Sequence, residues 1–374
     1  KVENLGVIKR GEVDLSKRIN VFCGPNGTGK TYMAYIIYGL LDSRMHYRPD
    51  PELARELVNN KNVNINIDYK KLFELRIAMV KSCKGNLDSL FGIGEDVAKE
   101  YFKDSVIEFV EDENLLRSII KSSGIDEIVM FRKIKIKVLK QENTDRLTLQ
   151  LIDDLVASKD VQFLEFALLE AVYSLLATYP TNSVHIFPVE RNSIYTFSKE
   201  LSIRKQEAID YFHAMTGKEK VNKFELLFDK TNRYPKPIKD GLIIAEDLAE
   251  VKKTKSEYFD FALSIERELL HGQVNISSEG QILFISEKAP KRNLPIHMSA
   301  SIVKALSSLV VYLKHIASKN DLIIIDEPEI NLHPDNQIVL TKLFARLANN
   351  GFRLLISTHS DYIIRELNNL VMLS

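Results

Sequence analysis

The stretch GPNGTGKT, residues 24–31, follows the short apolar run RINVFC (18–23) and leads into TYMAYIIYGLL (31–41), whose apolar residues recur at helical spacing. Strand, glycine-rich turn and helix in that order are the context in which G-x-x-x-x-G-K-[ST] wraps a chain of phosphates, and the pattern demands an α/β fold in which a buried strand feeds a helix. Gly24, Gly27 and Gly29 let the backbone N–H groups of the turn, with Pro25, Asn26 and Thr28 between them, face inward, and the helix aims its positive end at the same place. Lys30 is expected to neutralise the β- and γ-phosphates of a nucleotide such as ATP, and the Thr31 hydroxyl to ligate Mg²⁺. Read alone, the stretch also fits a plain strand-to-helix turn, so a second motif has to decide.

DLIIIDEPEINLHP (321–334) supplies it: four apolar residues, Leu322 to Ile325, deliver Asp326 and Glu327. A buried parallel strand ending this way brings Asp326 into the Mg²⁺ shell and leaves Glu327, one residue on, to polarise an attacking water. Two acids closing an ordinary strand is the plain alternative, and the phosphate loop weighs against it. FRLLISTHS (352–360) is a further apolar run ending in Thr358-His359-Ser360, where His359 is placed to donate to a γ-phosphate; a structural histidine at a strand end is the alternative.

Together, GPNGTGKT, LIIIDEPEINLHP and LLISTHS resemble the ABC-class ATPases, in the soluble branch that holds the structural-maintenance-of-chromosomes (SMC), recombination-repair and OLD (overcoming-lysogenization-defect) ATPases. The resemblance covers roughly the first 40 and last 95 residues well and the middle weakly. It implies a P-loop NTPase fold with an antiparallel β layer, ATP and Mg²⁺ as ligands, and a site completed in trans within a homodimer or higher even-numbered homo-oligomer. The implied activity is ATP hydrolysis controlling an effector, a nuclease or toxin, in a prokaryotic anti-phage system. Two rivals stand beside it: a repair ATPase that clamps duplex DNA, and an ATP-binding scaffold of negligible turnover.

The chain departs from that class at two places. The LSGGQ-like signature is replaced by HMSASIVKALSSLVVYLKHIA (297–317), without Gly-Gly, so Ser299 or Ser301 is expected to cap a long helix, with Ser299 reaching a partner's nucleotide or serving only as a cap. No glutamine is well placed for a Q-loop. VHIFPVERNSIYTF (184–197) takes its position, with Glu190-Arg191 facing the site or forming an ordinary surface ion pair.

Sequence patterning assigns residues 1–84 and 280–374 to the nucleotide lobe and 85–279 to an inserted α/β and helical lobe. NVNINIDY and FELRIAMV read as strands of the antiparallel layer, GIGEDVAKEYFKDSVIEFV (92–110) as helical, EIVMFRKIKIKVLK and RLTLQLID as a hairpin, TNRYPKPIKDG as a loop and LNNLVMLS as a strand; the chain's ends suggest a longer protein with an effector domain beyond Ser374. Lys plus Arg equals Asp plus Glu at 51 each, so nucleic acid can be held only by a local patch, for which Lys133, Lys135 and Lys137 on one strand face are the candidate; lysines guarding an edge strand are the alternative. Cys23 and Cys83 form no C-x-x-C pair, which fits a reducing cytoplasm and excludes a zinc hook within the chain; Cys23 is expected to pack beneath the phosphate loop. FLEFALLEAVYSLLATY (163–179) carries Glu165 and Glu170 and reads as core rather than membrane.

Overall fold

The computed structural model describes residues 1–42, 51–131, 134–152, 172, 175–197 and 234–372. The chain divides into two compact units, one of residues 1–3, 40–85 and 106–183 and the other of residues 4–39, 86–105 and 184–374.

In the first unit, a four-stranded antiparallel sheet runs in the order Asn62–Asn66, Arg146–Leu151, Ile134–Lys140, Ile125–Phe131. Alternation builds it: Ile136, Val138, Leu147 and Leu149 are buried, and Lys135 lies exposed on the opposite face. Lys137 on that face bonds Asp126 at 3.1 Å, and Lys133 lies outside the described residues. Two of this unit's helices are Tyr69–Gly85 and Glu113–Ser122, the latter capped by Asp112, whose carboxylate accepts from Leu115 N at 2.8 Å. The strand expected at FELRIAMV is instead the middle of the Tyr69–Gly85 helix. Tyr69, Leu72, Arg76, Met79 and Cys83 are its buried residues, spaced three and four apart, so the face that meets the core is helical although the eight-residue window reads as a strand.

The second unit is built on a four-stranded parallel sheet in the order Ile19–Cys23, Arg353–Thr358, Leu322–Asp326, Val184–Phe187. Every residue of Leu322–Asp326 and of Arg353–Thr358 is buried, as parallel strands covered on both faces require. Register sets the site: Thr358 pairs with Cys23, Ser357 with Asp326, and Ile325 with Phe187, so all four strands end at one edge. The helices Lys30–Leu41, Ser301–His315, Pro334–Asn349 and Asp361–Met372 follow or precede these strands, and a small antiparallel sheet, Gly272–Ile276, Ile282–Ser286 and Leu294–Pro295, leads into Ser301–His315.

Four further expectations need correction. Residues 367–372 of the strand expected at LNNLVMLS belong to the Asp361–Met372 helix, in which Ile363 and Leu367 are buried four apart, and residues 373–374 lie outside the described residues. The expected loop at 231–241 gives way to a helix from Lys236, which tolerates Pro237 because first-turn N–H groups lack helical acceptors. Only Glu95–Tyr101 of the helical expectation at 92–110 is helix, and Val106–Ile107 is strand. Cys23 is exposed, since the strand's last residue already lies at the open edge. The apolar run 163–179 lies largely outside the described residues, among which no helix is long and apolar enough to cross a membrane.

Candidate functional site

The turn between the Ile19–Cys23 strand and its helix passes through positive φ at Gly24, Gly27 and Gly29. At Gly29, with φ +90°, a Cβ would lie 2.5 Å from the Ile8 side chain, so neither the backbone nor the packing accepts another residue. Thr28 Oγ1 donates to Pro25 O at 2.9 Å, and the Lys30 ammonium lies across the loop, donating to Gly24 O at 2.8 Å and Pro25 O at 2.9 Å. Pro25 and Asn26 are exposed on the loop.

Thr31 and Asp326, 295 residues apart in sequence, meet here: Thr31 Oγ1 donates to Asp326 Oδ2 at 2.9 Å. Ser357 Oγ donates to the other carboxylate oxygen, its position fixed by the strand register. Asp326 is fully buried, and burial raises its pKa above the usual carboxylate value against the opposing pull of the Ser357 and Thr31 hydroxyls, Arg191 and Lys30. A buried carboxylate beside a hydroxyl is a hard-oxygen pair suited to Mg²⁺, which takes one or two carboxylates together with substrate oxygens. Among the described residues no cluster of three or more His, Cys, Asp or Glu side chains could hold a metal ion. The residues present fit the ion.

Glu327 turns the chain out of the sheet. Its φ is +44°, a left-handed conformation uncommon for a non-glycine residue, and its N–H donates to Ser357 O at 2.9 Å. Its side chain keeps 22% exposure, and His359 Nδ1 lies 3.9 Å from its Oε1. The same His359 nitrogen is 3.3 Å from Glu329 Oε1, which also accepts from the Thr358 hydroxyl at 2.7 Å and from His359 N at 2.8 Å. His359 therefore stands half exposed over a buried carboxylate that orients it. Ser360 Oγ donates to Gln337 Oε1, tying the histidine turn to the Pro334–Asn349 helix.

Arg191 is buried, not the surface ion pair held open above. Its Nη1 donates to Asp326 O at 2.8 Å and Pro188 O at 3.2 Å, and its Nη2 to Glu327 O at 3.1 Å and Pro328 O at 3.3 Å. Burial lowers its pKa to about 10. Ser299 is corrected as a cap: Ala300 holds the N-cap position of Ser301–His315, no side chain caps that helix, and the Ser299 hydroxyl is buried without a partner among the described residues.

The sheet edge thus gathers Gly24–Thr31, Asp326, Glu327 and His359. Ser357, Glu329 and Gln337 join them without a sequence signal of their own, because register and burial place them. A family model for the AAA ATPase domain matches residues 1–364. The chain belongs to the AAA ATPase domain family. With its phosphate loop and parallel sheet, this AAA ATPase domain is a P-loop NTPase fold. A comparison with curated proteins finds no match. Among solved structures, the domain is similar to an SmcHead bound to the C-winged helix domain of ScpA, at 14% identity and TM-score 0.36 over 98% of this chain and 90% of that one. It is also similar to an Smc head domain with an extended coiled coil bound to the C-terminal domain of ScpA from Pyrococcus furiosus, at 13% identity and TM-score 0.35 over 98% and 90%.

Proposed function

We propose that the protein is a Mg²⁺-dependent ATP hydrolase whose nucleotide lobe closes head to tail on a second copy and so controls an effector, a nuclease or toxin, in anti-phage defence. The observation that carries the catalytic part is the Thr31–Asp326 hydrogen bond at 2.9 Å, which joins the phosphate loop to the acidic strand.

The loop N–H groups of Gly24–Gly29 and the Lys30 ammonium bind and orient the triphosphate. Thr31 and Asp326 would hold Mg²⁺, which would supply charge neutralisation to the triphosphate. Glu327 takes the proton of the attacking water as its oxygen bonds to the γ-phosphorus; the bond to the β–γ bridging oxygen breaks, and ADP leaves with that electron pair. His359 donates to the γ-phosphate, and the segment around Ser299, at the start of the Ser301–His315 helix, faces the partner's nucleotide. The effector and the defence setting rest on the resemblance to OLD-like ATPases. DNA clamping has less behind it, since Lys137 is engaged by Asp126.

Lys30→Ala tests nucleotide binding. At ATP a hundredfold above Kd, the unaltered protein gains about 2.7 kcal/mol of stability by mass action. The variant is expected to gain none while its melting temperature without ATP stays within about 2 °C, because Lys30 bonds only loop carbonyls. Equal ATP-induced shifts in the two proteins refute the assignment.

A further inference from the structure

The Val184–Phe187 strand ends beside the acidic strand, and the helix that follows begins at Arg191. Nothing in the proposed chemistry uses this arginine, yet the residue is 3% exposed and its guanidinium makes four hydrogen bonds, all to main-chain carbonyls. Three of those carbonyls belong to consecutive residues, Asp326, Glu327 and Pro328. The arginine therefore grips the turn in which the metal-binding acid gives way to the base, and it does so through the backbone, leaving both carboxylate oxygens of Asp326 to Ser357 and Thr31.

We infer that Arg191 is a positioning residue for hydrolysis: by clamping the Asp326–Pro328 carbonyls it holds Glu327 in its left-handed conformation and so fixes where the base stands. Three observations meet in this. Glu327 occupies a backbone region that relaxes unless the surroundings over-determine it. Its N–H is held from one side by Ser357 O, and its carbonyl from the other by Arg191 Nη2. Only a planar fork with several N–H donors reaches carbonyls of three successive residues at once; a lysine ammonium at the same place carries the charge without the span.

The inference rests on the reading of Glu327 as the base, so the experiment separates the two. Arg191→Lys keeps the charge and removes the fork, and Arg191→Met removes both. ATP turnover, the ATP-induced melting shift and amide hydrogen exchange are measured for each variant and for Glu327→Gln. A base displaced by a fraction of its reach costs on the order of tenfold to a hundredfold in kcat. Arg191→Lys is therefore expected to lose about that much kcat, with KM for ATP and the ATP-induced shift within about twofold of the unaltered protein. Exchange of the Glu327 amide is expected to rise at least about tenfold while the amides of Leu322–Ile325 keep their protection. Arg191→Met behaves alike or worse. Normal turnover in Arg191→Lys, exchange that rises across the whole sheet, or failure of both variants to fold and bind ATP overturns the positioning role. If Glu327→Gln itself hydrolyses ATP normally, the reading of Glu327 as the base has failed, and Arg191 cannot act through it. If Glu327→Gln is dead and Arg191→Lys is normal, only the inference about Arg191 has failed.

Discussion

Both carboxylate oxygens of Asp326 are met by hydroxyls from two other elements, whereas the start of the Ser301–His315 helix meets no side-chain cap at all. The first region is buried and held by strand register; in the second, Met298 is 66% exposed and the Ser299 hydroxyl lacks a partner among the described residues. The same helix is held firmly at its far end. Lys314 donates to Glu266 at 2.7 Å and to Val274 O at 2.8 Å, and Tyr312 donates to Asp321 at 2.6 Å. The contrast teaches that the site containing the phosphate loop is organised by its own sheet, while the helix is anchored at its C-terminal end and has exposed residues at its start. The proposed sharing of the site between two copies would draw on that exposed helix start.

The largest effect on stability is expected where the helix is anchored. Glu266 is fully buried and Lys314 nearly so, so Lys314→Met leaves a buried carboxylate without its cation and is expected to cost about 3–5 kcal/mol. Burial already raises the Glu266 pKa, and losing Lys314 raises it further. The folded variant then holds a proton that the unfolded chain releases, so its stability falls as pH rises above the ordinary carboxylate range. Denaturant unfolding at pH 5 and pH 8 should show the larger loss at pH 8, and adding Glu266→Leu should recover most of it. An equal small loss at both values would place the anchor elsewhere.

A smaller effect sharpens the same comparison. His185 stacks on Tyr312, with ring centroids 4.5 Å apart, and burial lowers its pKa to about 4. The unfolded chain takes up this proton near pH 6.5 and the folded chain only near pH 4, so His185 costs stability progressively as pH falls through that window. His185→Phe keeps a ring against Tyr312 and removes the titration. Its unfolding free energy is expected to fall less steeply than that of the unaltered protein between pH 6.5 and pH 4, and parallel curves would show that His185 does not titrate in this way.

How much was legible follows from where each signal resides. Gly24–Thr31, Asp326-Glu327 and His359 are contiguous patterns, and each sits at the sheet edge where a strand, then a turn or helix, had to put it. Ser357 and Glu329 were silent because only the register of Ser357 with Asp326 and the burial of Glu329 under Thr358 make them part of the site. Arg191 was legible as a residue and not as a clamp, since its partners are carbonyls, which every sequence has. FELRIAMV misled because its helical face emerges only over the full 17 residues of Tyr69–Gly85. Ser299 and Ser301 flank the N-cap, and the residue between them, Ala300, occupies it.

The central claim, that one copy's phosphate loop works with another copy's Ser299 segment, is tested most directly by mixing two dead variants. Lys30→Ala spoils the phosphate loop, and Ser299→Arg places a bulky side chain at the helix start, between the exposed Met298 and Ala300. Purified separately, each is expected to hydrolyse ATP at less than about a hundredth of the normal rate, with Ser299→Arg still gaining stability from ATP. Mixed under conditions that exchange subunits, a mixed dimer holds one intact loop facing one intact segment, so turnover should return at about one working site of two per mixed dimer. No recovery after demonstrated exchange would show that each chain hydrolyses ATP within itself, and the shared-site account would be wrong.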